Sequence, residues 1–301
     1  MAVYYSGMNN FGCIKSEDAN YPAQLKRLKK PPKQLFYRGN LDCLNGILLS
    51  FVGTRRISYY GRYCADKLIE ELSLCGVTIV SGLASGIDTA CHRAALKNGL
   101  KTIAVFGTPL DIIFPRENKR LAEEIVNKGG LLLSEYAVGT LMQKHFFPER
   151  NRIVAGLSLV TVIVEAPQES GALLTADIAL DLGREVYAVP ADINSKNSVG
   201  CNKLIQNSRA KAVMCGADIM GDLKLQPSIF RNVLKTKSDT SHLDDYIRKI
   251  YSVVSATHPT SIEKIMKETG FDIQKINKAL SLLEINFLVT SLSTGAYLKT
   301  G

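Results

Sequence analysis

The sequence predicts an α/β protein with a doubly wound, mostly parallel sheet and a small C-terminal winged-helix-like domain. From about residue 47 to residue 215, short apolar runs bounded by Gly or Pro alternate with amphipathic helical patterns. The runs are apolar on both faces, which is typical of buried parallel strands. Near the C-terminus, three short helical patterns precede two alternating runs around a Ser-Thr-Gly turn. This order predicts a β-hairpin and, with the helices, a winged helix, a variant of helix-turn-helix.

The predicted elements follow one another in strand–helix order, which gives right-handed βαβ units. The candidate strands lie at residues 47–53, 77–82, 101–107, 130–136, 159–166 and 185–190, with a candidate seventh at 210–214. The amphipathic helices between them lie around residues 60–74, 87–98, 117–128, 171–182 and 200–207.

The chain divides into four predicted parts. Residues 1–45 form a basic N-terminal segment, and residues 46–222 form the α/β domain. Residues 223–244 are polar without a clear period and predict a linker, because they lack a face that could pack. Residues 245–301 carry the winged-helix-like pattern.

Composition excludes several classes of protein. Hydrophobic residues make up 46% and charged residues 22% of the 301 residues, which is ordinary globular usage. The longest apolar stretches, such as residues 159–164, are too short to span a membrane, and no secretory signal opens the chain. The seven cysteines form no C-x-x-C pair, which excludes a disulfide framework and a zinc site. We expect a cytoplasmic protein with reduced thiols, no bound metal and no membrane contact.

The charge balance points to a polyanionic partner. Lys and Arg number 37 against 28 Asp and Glu, for a net charge of +9. Residues 46–222 are nearly neutral, however, so a site there depends on local placement of Arg and Lys. Because ligands of open α/β sheets bind outside the carboxyl ends of the strands, the strand ends are the place to look.

The ends of the first two predicted strands suit an anion. Small residues let backbone amides approach a phosphate, and a helix N-terminus adds partial positive charge. Asp88 could cap the helix that follows. The glycines could equally serve only a tight turn and close packing, and both interpretations stay open. The candidate residues are Gly53, Arg55, Ser81, Gly82, Ser85 and Gly86.

Neither strand end matches a nucleotide-cofactor motif. A dinucleotide site needs G-x-G-x-x-G directly after the first strand, where this chain has a single glycine and two arginines. A Walker A loop needs G-K-[ST], which occurs nowhere in the chain. We therefore expect no cofactor.

The stretch K-H-F-F-P-E-R-N-R at residues 144–152 interleaves cations with aromatic rings. This composition suits single-stranded nucleic acid, because cations follow phosphates while rings stack on unpaired bases. The alternative is a structural role in which a Phe belongs to the core, Pro148 starts a helix and the arginines pair with glutamates. Arg150 and Arg152 diverge on a helix, so we expect one to contact ligand and the other to be structural. The candidates are Lys144, Phe147, Arg150 and Arg152.

Three further candidates are weak alone but converge on the same predicted edge of the sheet. They are Arg116 after the third strand, Gly171 at a helix start and Lys203 in the 200–203 loop. No catalytic set accompanies them. His92 lies in a helix where packing is the expected role, and the carboxylates of Asp88 and Glu165 suit a cap or a salt bridge. Since H-E-x-x-H and G-x-S-x-G motifs are absent, we expect no enzyme.

Seven runs follow one another along the α/β part of the chain: VGTRRISYYGR, VSGLASGIDTACHRAAL, FPRENKRL, GLLLSEY, HFFPERNRIVAGLS, ESGALLTA and GCNKLIQ. In their order and spacing, these runs resemble the DNA-processing protein A (DprA/Smf) family. The resemblance covers roughly residues 20–220, and the winged-helix-like segment is similar to a domain of many members.

The resemblance implies an extended Rossmann-like fold, a homodimer and single-stranded DNA binding without enzymatic activity. Family members protect incoming DNA during natural transformation and load the RecA recombinase on it. The implied dimer surface is the apolar helix surface around Ile178 and Leu204. Carried over by motif, the DNA-binding residues are Gly53, Arg55, residues 81–86, Lys144, Phe147 and Arg150, with Arg116 and Lys203 as weaker candidates.

Two departures and two rival functions accompany this resemblance. Many members carry an N-terminal helical SAM-like domain, which we expect to be absent or truncated here. The modest charge of residues 245–301 favours a protein-contact or regulatory role over independent duplex binding. One rival is a nucleotide-processing hydrolase of a related Rossmann-like fold, although ESGALLTA replaces the P-G-G-x-G-T loop of such enzymes. The other is a transcription regulator whose α/β part senses an effector.

Overall fold

The strand–helix alternation folds as one nine-stranded sheet in the computed structural model of the protein. The structure describes residues 11–225, 244–255, 259–285, 288–291 and 295–299. The chain separates into two units, residues 1–225 and 226–301. Residues 226–243 of the predicted linker lie outside the described residues.

The sheet confirms the predicted α/β class. Seven parallel strands run from β3 to β9, and two antiparallel strands, β1 and β2, extend the sheet beyond β6. The spatial order is β1-β2-β6-β5-β4-β3-β7-β8-β9. The strands are β1 Gly12–Lys15, β2 Gln34–Gly39, β3 Leu48–Gly53, β4 Thr78–Ser81, β5 Thr102–Phe106, β6 Leu131–Ser134, β7 Val160–Glu165, β8 Glu185–Ala188 and β9 Lys211–Ala212.

Helices cover both faces of the sheet, as a doubly wound fold requires. One hydrophobic cluster joins the sheet to α1, α2 and α7, and another joins it to α4, α5 and α6. Leu204 is 5% exposed inside the second cluster, so its part in the predicted dimer surface is wrong. The helices are α1 Tyr59–Leu72, α2 Ile87–Lys97, α3 Lys119–Asn127, α4 Phe146–Leu157, α5 Gly171–Asp181, α6 Val199–Gln206 and α7 Gly216–Asp222.

The boundary predicted at residue 45 does not separate two parts of the structure. Strand β2 pairs with β6, with Phe36 opposite Ser134, and β1 pairs with β2. Between these strands, Leu25 and Leu28 are buried against α4 in the main core. The basic N-terminal segment is therefore the edge of the α/β unit.

Helix α4 contains most of the stretch 144–152 and bears on its structural alternative. The helix begins at Phe146, two residues before Pro148, which occupies a first-turn position where proline is tolerated. Phe146 is buried and stacks on Tyr136, with ring centroids 3.7 Å apart. The structural alternative for this stretch is thus right for Phe146, while Phe147 remains half-buried at the surface.

The second unit contains the predicted three helices and hairpin. They are α8 Asp245–Val253, α9 Ile262–Thr269, α10 Ile273–Ile285, β10 Val289–Ser291 and β11 Tyr297–Lys299. Thr260 also pairs with Tyr297 across an antiparallel bridge, so a third short segment joins the hairpin. A separate apolar cluster that includes Ile247, Ile265 and Leu280 holds these elements together.

The described residues contain no group of three or more His, Cys, Asp or Glu side chains that could hold a metal ion. All seven cysteines are free, and five of them are buried. In the same parts of the chain, no helix has the length and apolar character that a membrane crossing needs.

Candidate nucleic-acid interface

The strand order reverses at β3, which lies between β4 and β7. Strands β4, β5 and β6 follow on one side, and β7, β8 and β9 on the other. In open α/β sheets, the crevice at the carboxyl ends beside such a reversal is the usual ligand site. The turns that leave β3, β4 and β5 therefore form the region of interest.

The turn after β3 is fixed by the end of β7. The Thr54 amide donates to the Glu165 carbonyl oxygen at 2.7 Å, and the Ser58 amide donates to the Glu165 carboxylate at 2.9 Å. A Cβ at Gly53 would lie 2.5 Å from Cγ1 of Ile87, so this position needs glycine for packing. Gly53 is thus structural, while the turn leaves Arg55 exposed.

The Gly-rich loop after β4 packs closely on that turn. Gly86 has a φ of 84°, and a Cβ there would lie 2.3 Å from the Thr54 carbonyl oxygen. The Ser85 hydroxyl donates to Glu117 Oε1 at 2.8 Å. Within the described residues, the amides of Ser85 and Gly86 have no intramolecular acceptor, so they remain available to an anion.

Asp88 holds the loop from below. Its buried carboxylate accepts hydrogen bonds from the amides of Gly82 at 3.1 Å and Ala84 at 3.3 Å. Asp88 therefore anchors the loop before α2, whereas a cap of the helix was predicted. Burial raises the pKa of Asp88, and the charge of Arg150 together with these amides opposes that shift.

Arg150 supports the same loop from α4. It is 5% exposed, and its Nη1 donates to the carbonyl oxygens of Gly82 and Val105. Burial lowers the pKa of Arg150, while the Asp88 charge raises it. The Arg150 hydrogen bonds therefore link the end of β4 to the end of β5.

A cavity of about 140 Å³ opens between these loops. The Phe147 ring lies 5.4 Å from the Phe114 ring, at an interplanar angle of 55°. The Arg55 guanidinium carbon lies 5.8 Å from the centroid of the Phe147 ring, within range of a cation–π interaction. The lining residues are Arg55, Gly82, Ala84, Ser85, Gly107, Phe114, Pro115, Phe147 and Arg150.

Two further cations predicted for the site are exposed, and each is close in sequence to a residue that lines the cavity. Arg116 begins the 3₁₀ helix Arg116–Asn118 directly after Phe114 and Pro115. Lys144 lies three residues before Phe147. Both cations are therefore close in sequence to residues that line the cavity, although neither is among the lining residues.

Four predicted site residues lie elsewhere or are occupied. Ser81 is fully buried and its hydroxyl donates to the Phe51 carbonyl oxygen at 2.7 Å, so its side chain is unavailable. Arg152 forms an ion pair with Glu135, so both guanidinium groups of the 144–152 stretch have internal partners. Gly171 and Lys203 are exposed, in the first turn of α5 and the last turn of α6, and neither lines this cavity.

Sequence reasoning missed Phe114, Gly107 and Pro115, whereas Ala84 lies within the predicted range 81–86. The available signal was the dipeptide Phe-Pro directly before Arg116, an aromatic residue next to a cation at a strand end. His92, by contrast, is packed as expected. It is fully buried with Nδ1 2.7 Å from the Thr102 hydroxyl, and burial, with the charge of Arg150, lowers its pKa to about 3.

The doubly wound sheet defines a Rossmann-like protein, and its strand-end cavity is lined by cations and aromatic rings. The family model described as DNA recombination-mediator protein A matches residues 12–224, and the chain belongs to this family. The resemblance found in the sequence is thereby confirmed. The family comprises recombination mediators and not enzymes, which removes the hydrolase alternative.

Individual relatives agree with this assignment. The DNA processing protein DprA of Streptococcus pneumoniae is 45% identical over 207 residues, 69% of this chain and 72% of its own length. Its crystal structure superposes with a TM-score of 0.68 at 43% identity, covering 72% of this chain and 75% of that one. The Helicobacter pylori DprA structure, described for its single-stranded DNA binding mode, has a TM-score of 0.65 at 30% identity, covering 72% and 97%.

A longer match includes the second unit. The Smf protein of Synechocystis is 33% identical over an alignment that covers 92% of this chain and 77% of the relative.

Proposed function

We propose that this protein binds single-stranded DNA at the carboxyl edge of its α/β sheet and delivers the strand to a RecA-type recombinase. The observation that carries the proposal is the cavity in which Arg55 lies over Phe147 and Phe147 lies beside Phe114. A base that enters this cavity stacks on an aromatic face, while its phosphate meets a guanidinium group.

The surrounding groups suit the backbone of the strand. Arg116 and Lys144 are exposed and are close in sequence to residues that line the cavity. The backbone amides of Ser85 and Gly86 are neutral hydrogen-bond donors for a phosphate. These contacts recognise phosphate and ring faces and no base edge, so binding is independent of sequence.

Single strands are favoured over duplex for a physical reason. Bases in a duplex are stacked on one another and cannot enter a cavity that ends on Phe147 and Phe114. An unpaired base exposes both faces and loses little by moving onto a protein ring. The binding of single-stranded DNA by the Helicobacter pylori relative supports this choice of ligand.

The proposal includes a homodimer that acts in the cytoplasm during DNA uptake or recombination. Membership of a recombination-mediator family supports the recombinase as partner. Light scattering at working concentration tests the assembly, because a dimer has twice the 33.0 kDa mass of the chain. A monomer at that concentration contradicts the dimer and leaves the DNA site to be tested separately.

Fluorescence anisotropy of labelled single-stranded and duplex oligonucleotides tests the DNA site. We expect tighter binding of the single strand and a loss of roughly tenfold or more in Arg55→Ala, because hydrogen bonds to charged groups contribute about 1.5–3 kcal/mol. The matched control is Arg209→Ala, which removes an exposed arginine paired with Asp177 at 2.7 Å. Equal affinity of Arg55→Ala and wild type contradicts the proposed site.

A further inference from the structure

The first two turns of α1 carry three exposed aromatic rings. Tyr59, Tyr60 and Tyr63 are 87%, 44% and 53% exposed. Large aromatic side chains usually bury most of their surface, so three on one short segment are unusual. Within the described residues, the hydroxyl groups of Tyr59 and Tyr63 have no hydrogen-bond partner.

The helix geometry aligns two of these rings. Tyr59 and Tyr63 are four residues apart, which places them on one face with their Cβ atoms about 5–6 Å apart. Tyr60 is used differently, because its hydroxyl donates to the Pro190 carbonyl oxygen at 2.7 Å. Tyr59 and Tyr63 are thus a pair of exposed rings on one face of the helix, one turn apart.

Positive charge accompanies the pair. Arg56 and Arg62 are exposed, so the segment 55–63 alternates cations with rings and contains no acidic residue. Beyond Tyr63 the charge of the helix becomes net negative, because Asp66, Glu70 and Glu71 outnumber Lys67 in a groove that Tyr63 also lines. A polyanion is therefore attracted to the start of α1 and repelled further along it.

The pair is close in sequence to the strand-end cavity. Arg55 lines the cavity and lies four residues before Tyr59. The start of α1 is held in place because the Ser58 side chain accepts the Gly61 amide at 3.0 Å and the Ser58 amide binds the buried Glu165 carboxylate. The rings therefore have a fixed position relative to the cavity.

We infer that Tyr59 and Tyr63 stack further bases of the strand that enters the cavity, while Arg56 and Arg62 meet its phosphates. We name these four residues the tyrosine platform. The inference rests on the proposed function, since it extends the same DNA track by a second set of contacts. The platform binds single strands only, because its rings need unpaired base faces.

Oligonucleotide length separates the platform from the cavity. We measure anisotropy with labelled oligothymidylates of about four and about twenty nucleotides, a range that spans known single-strand site sizes. In the full chain, Tyr59→Ala/Tyr63→Ala weakens binding of the long strand by about fivefold or more per ring and leaves the short strand unchanged. Arg55→Ala weakens binding of both strands.

A matched variant separates stacking from folding. Tyr59→Phe/Tyr63→Phe keeps both rings and is expected to bind the long strand as wild type does. Circular dichroism and thermal unfolding establish that the alanine variant is folded. Photocross-linking with 5-iododeoxyuridine in the long strand is expected to label the peptide that contains residues 59–63.

The outcomes distinguish the platform from the cavity. Unchanged long-strand affinity in the folded alanine variant, or equal losses for both strands, overturns the platform and leaves the cavity standing. A loss in the phenylalanine variant equal to that in the alanine variant also overturns stacking. If Arg55→Ala has no effect while the tyrosine variant loses affinity, the cavity fails and the platform stands as an independent site.

Discussion

The two units of this protein place cations against aromatic rings in different settings. In the α/β unit, Arg55 lies 5.8 Å from the Phe147 ring at the mouth of a cavity formed by strand-end loops. In the second unit, Lys275 lies 4.5 Å from the Phe271 ring and 5.0 Å from the Tyr246 ring. The second contacts are closer, yet their rings pack on the apolar cluster of a small helical unit.

The difference shows what distinguishes a binding arrangement from a packing arrangement. A cation over a ring occurs in both units, so that contact alone does not identify a nucleic-acid site. In the α/β unit, the backbone amides of Ser85 and Gly86 also have no acceptor among the described residues, and the buried side chain of Arg150 forms the floor of the cavity. The functional conclusion rests on the cavity, the free backbone amides and the Arg55 guanidinium group together.

The largest expected effect is a loss of stability when the buried Arg150 is replaced. Arg150→Met leaves Asp88 without its nearby positive charge and removes the donor to Gly82 and Val105. The lost contacts are two buried hydrogen bonds from a charged donor, each of which contributes about 1.5–3 kcal/mol, so the free energy of unfolding is expected to fall by about 3 kcal/mol or more. Urea unfolding measures this, and a loss under 1 kcal/mol would show that Arg150 is not needed to hold the loop.

A second prediction concerns acid sensitivity of the α/β unit. The pKa of His92 is lowered to about 3 from 6.5, so the unfolded chain binds a proton that the folded chain does not. Stability is then complete above about pH 6.5 and falls toward pH 3 by up to about 1.4 kcal/mol per pH unit. Chemical unfolding across this range should show the slope in wild type and a flatter slope in His92→Gln.

The aromatic ring of the cavity gives the third prediction. Phe147→Ala should weaken single-stranded DNA binding by about 1–3 kcal/mol, because one base loses its stacking partner. The fold should persist, since Phe147 is only half-buried. Anisotropy together with circular dichroism checks both statements, and unchanged affinity removes Phe147 from the site.

The smallest effect is expected in the second unit. Lys275→Ala removes contacts with two rings and should lower stability by about 0.5–1 kcal/mol. Single-stranded DNA affinity should stay within twofold of wild type, because these rings belong to a packed cluster. A loss comparable to that of Phe147→Ala would erase the distinction between the two units.

The parallel strands were predictable because each is a continuous apolar run between turn residues. The predicted strand at 101–107, for example, is observed as Thr102–Phe106. Strands β1 and β2 were not predictable, since short antiparallel strands with polar residues lack that signal. Helix α4 was obscured because Phe146 and Phe147 look like a binding cluster, whereas one ring packs inward.

The site was predictable as a region and less so in detail. Arg55 was identified because a cation directly follows the first strand, and Phe147 because rings are interleaved with cations at residues 144–152. The burial of Arg150 could not be read from the sequence, because arginine is seldom fully buried without partners, and its acceptors, the carbonyl oxygens of Gly82 and Val105, are distant in the chain. Ser81 looked available only because its acceptor, the Phe51 carbonyl, lies on a neighbouring strand.

The most direct test of the central claim is the salt dependence of single-stranded DNA binding in wild type and Arg55→Ala. Each phosphate contact contributes about −0.7 to the slope of log affinity against log salt concentration. If Arg55 meets a phosphate at the cavity, the variant binds more weakly and its slope is less steep by about 0.7. An unchanged slope and affinity would show that the DNA site lies away from the strand ends.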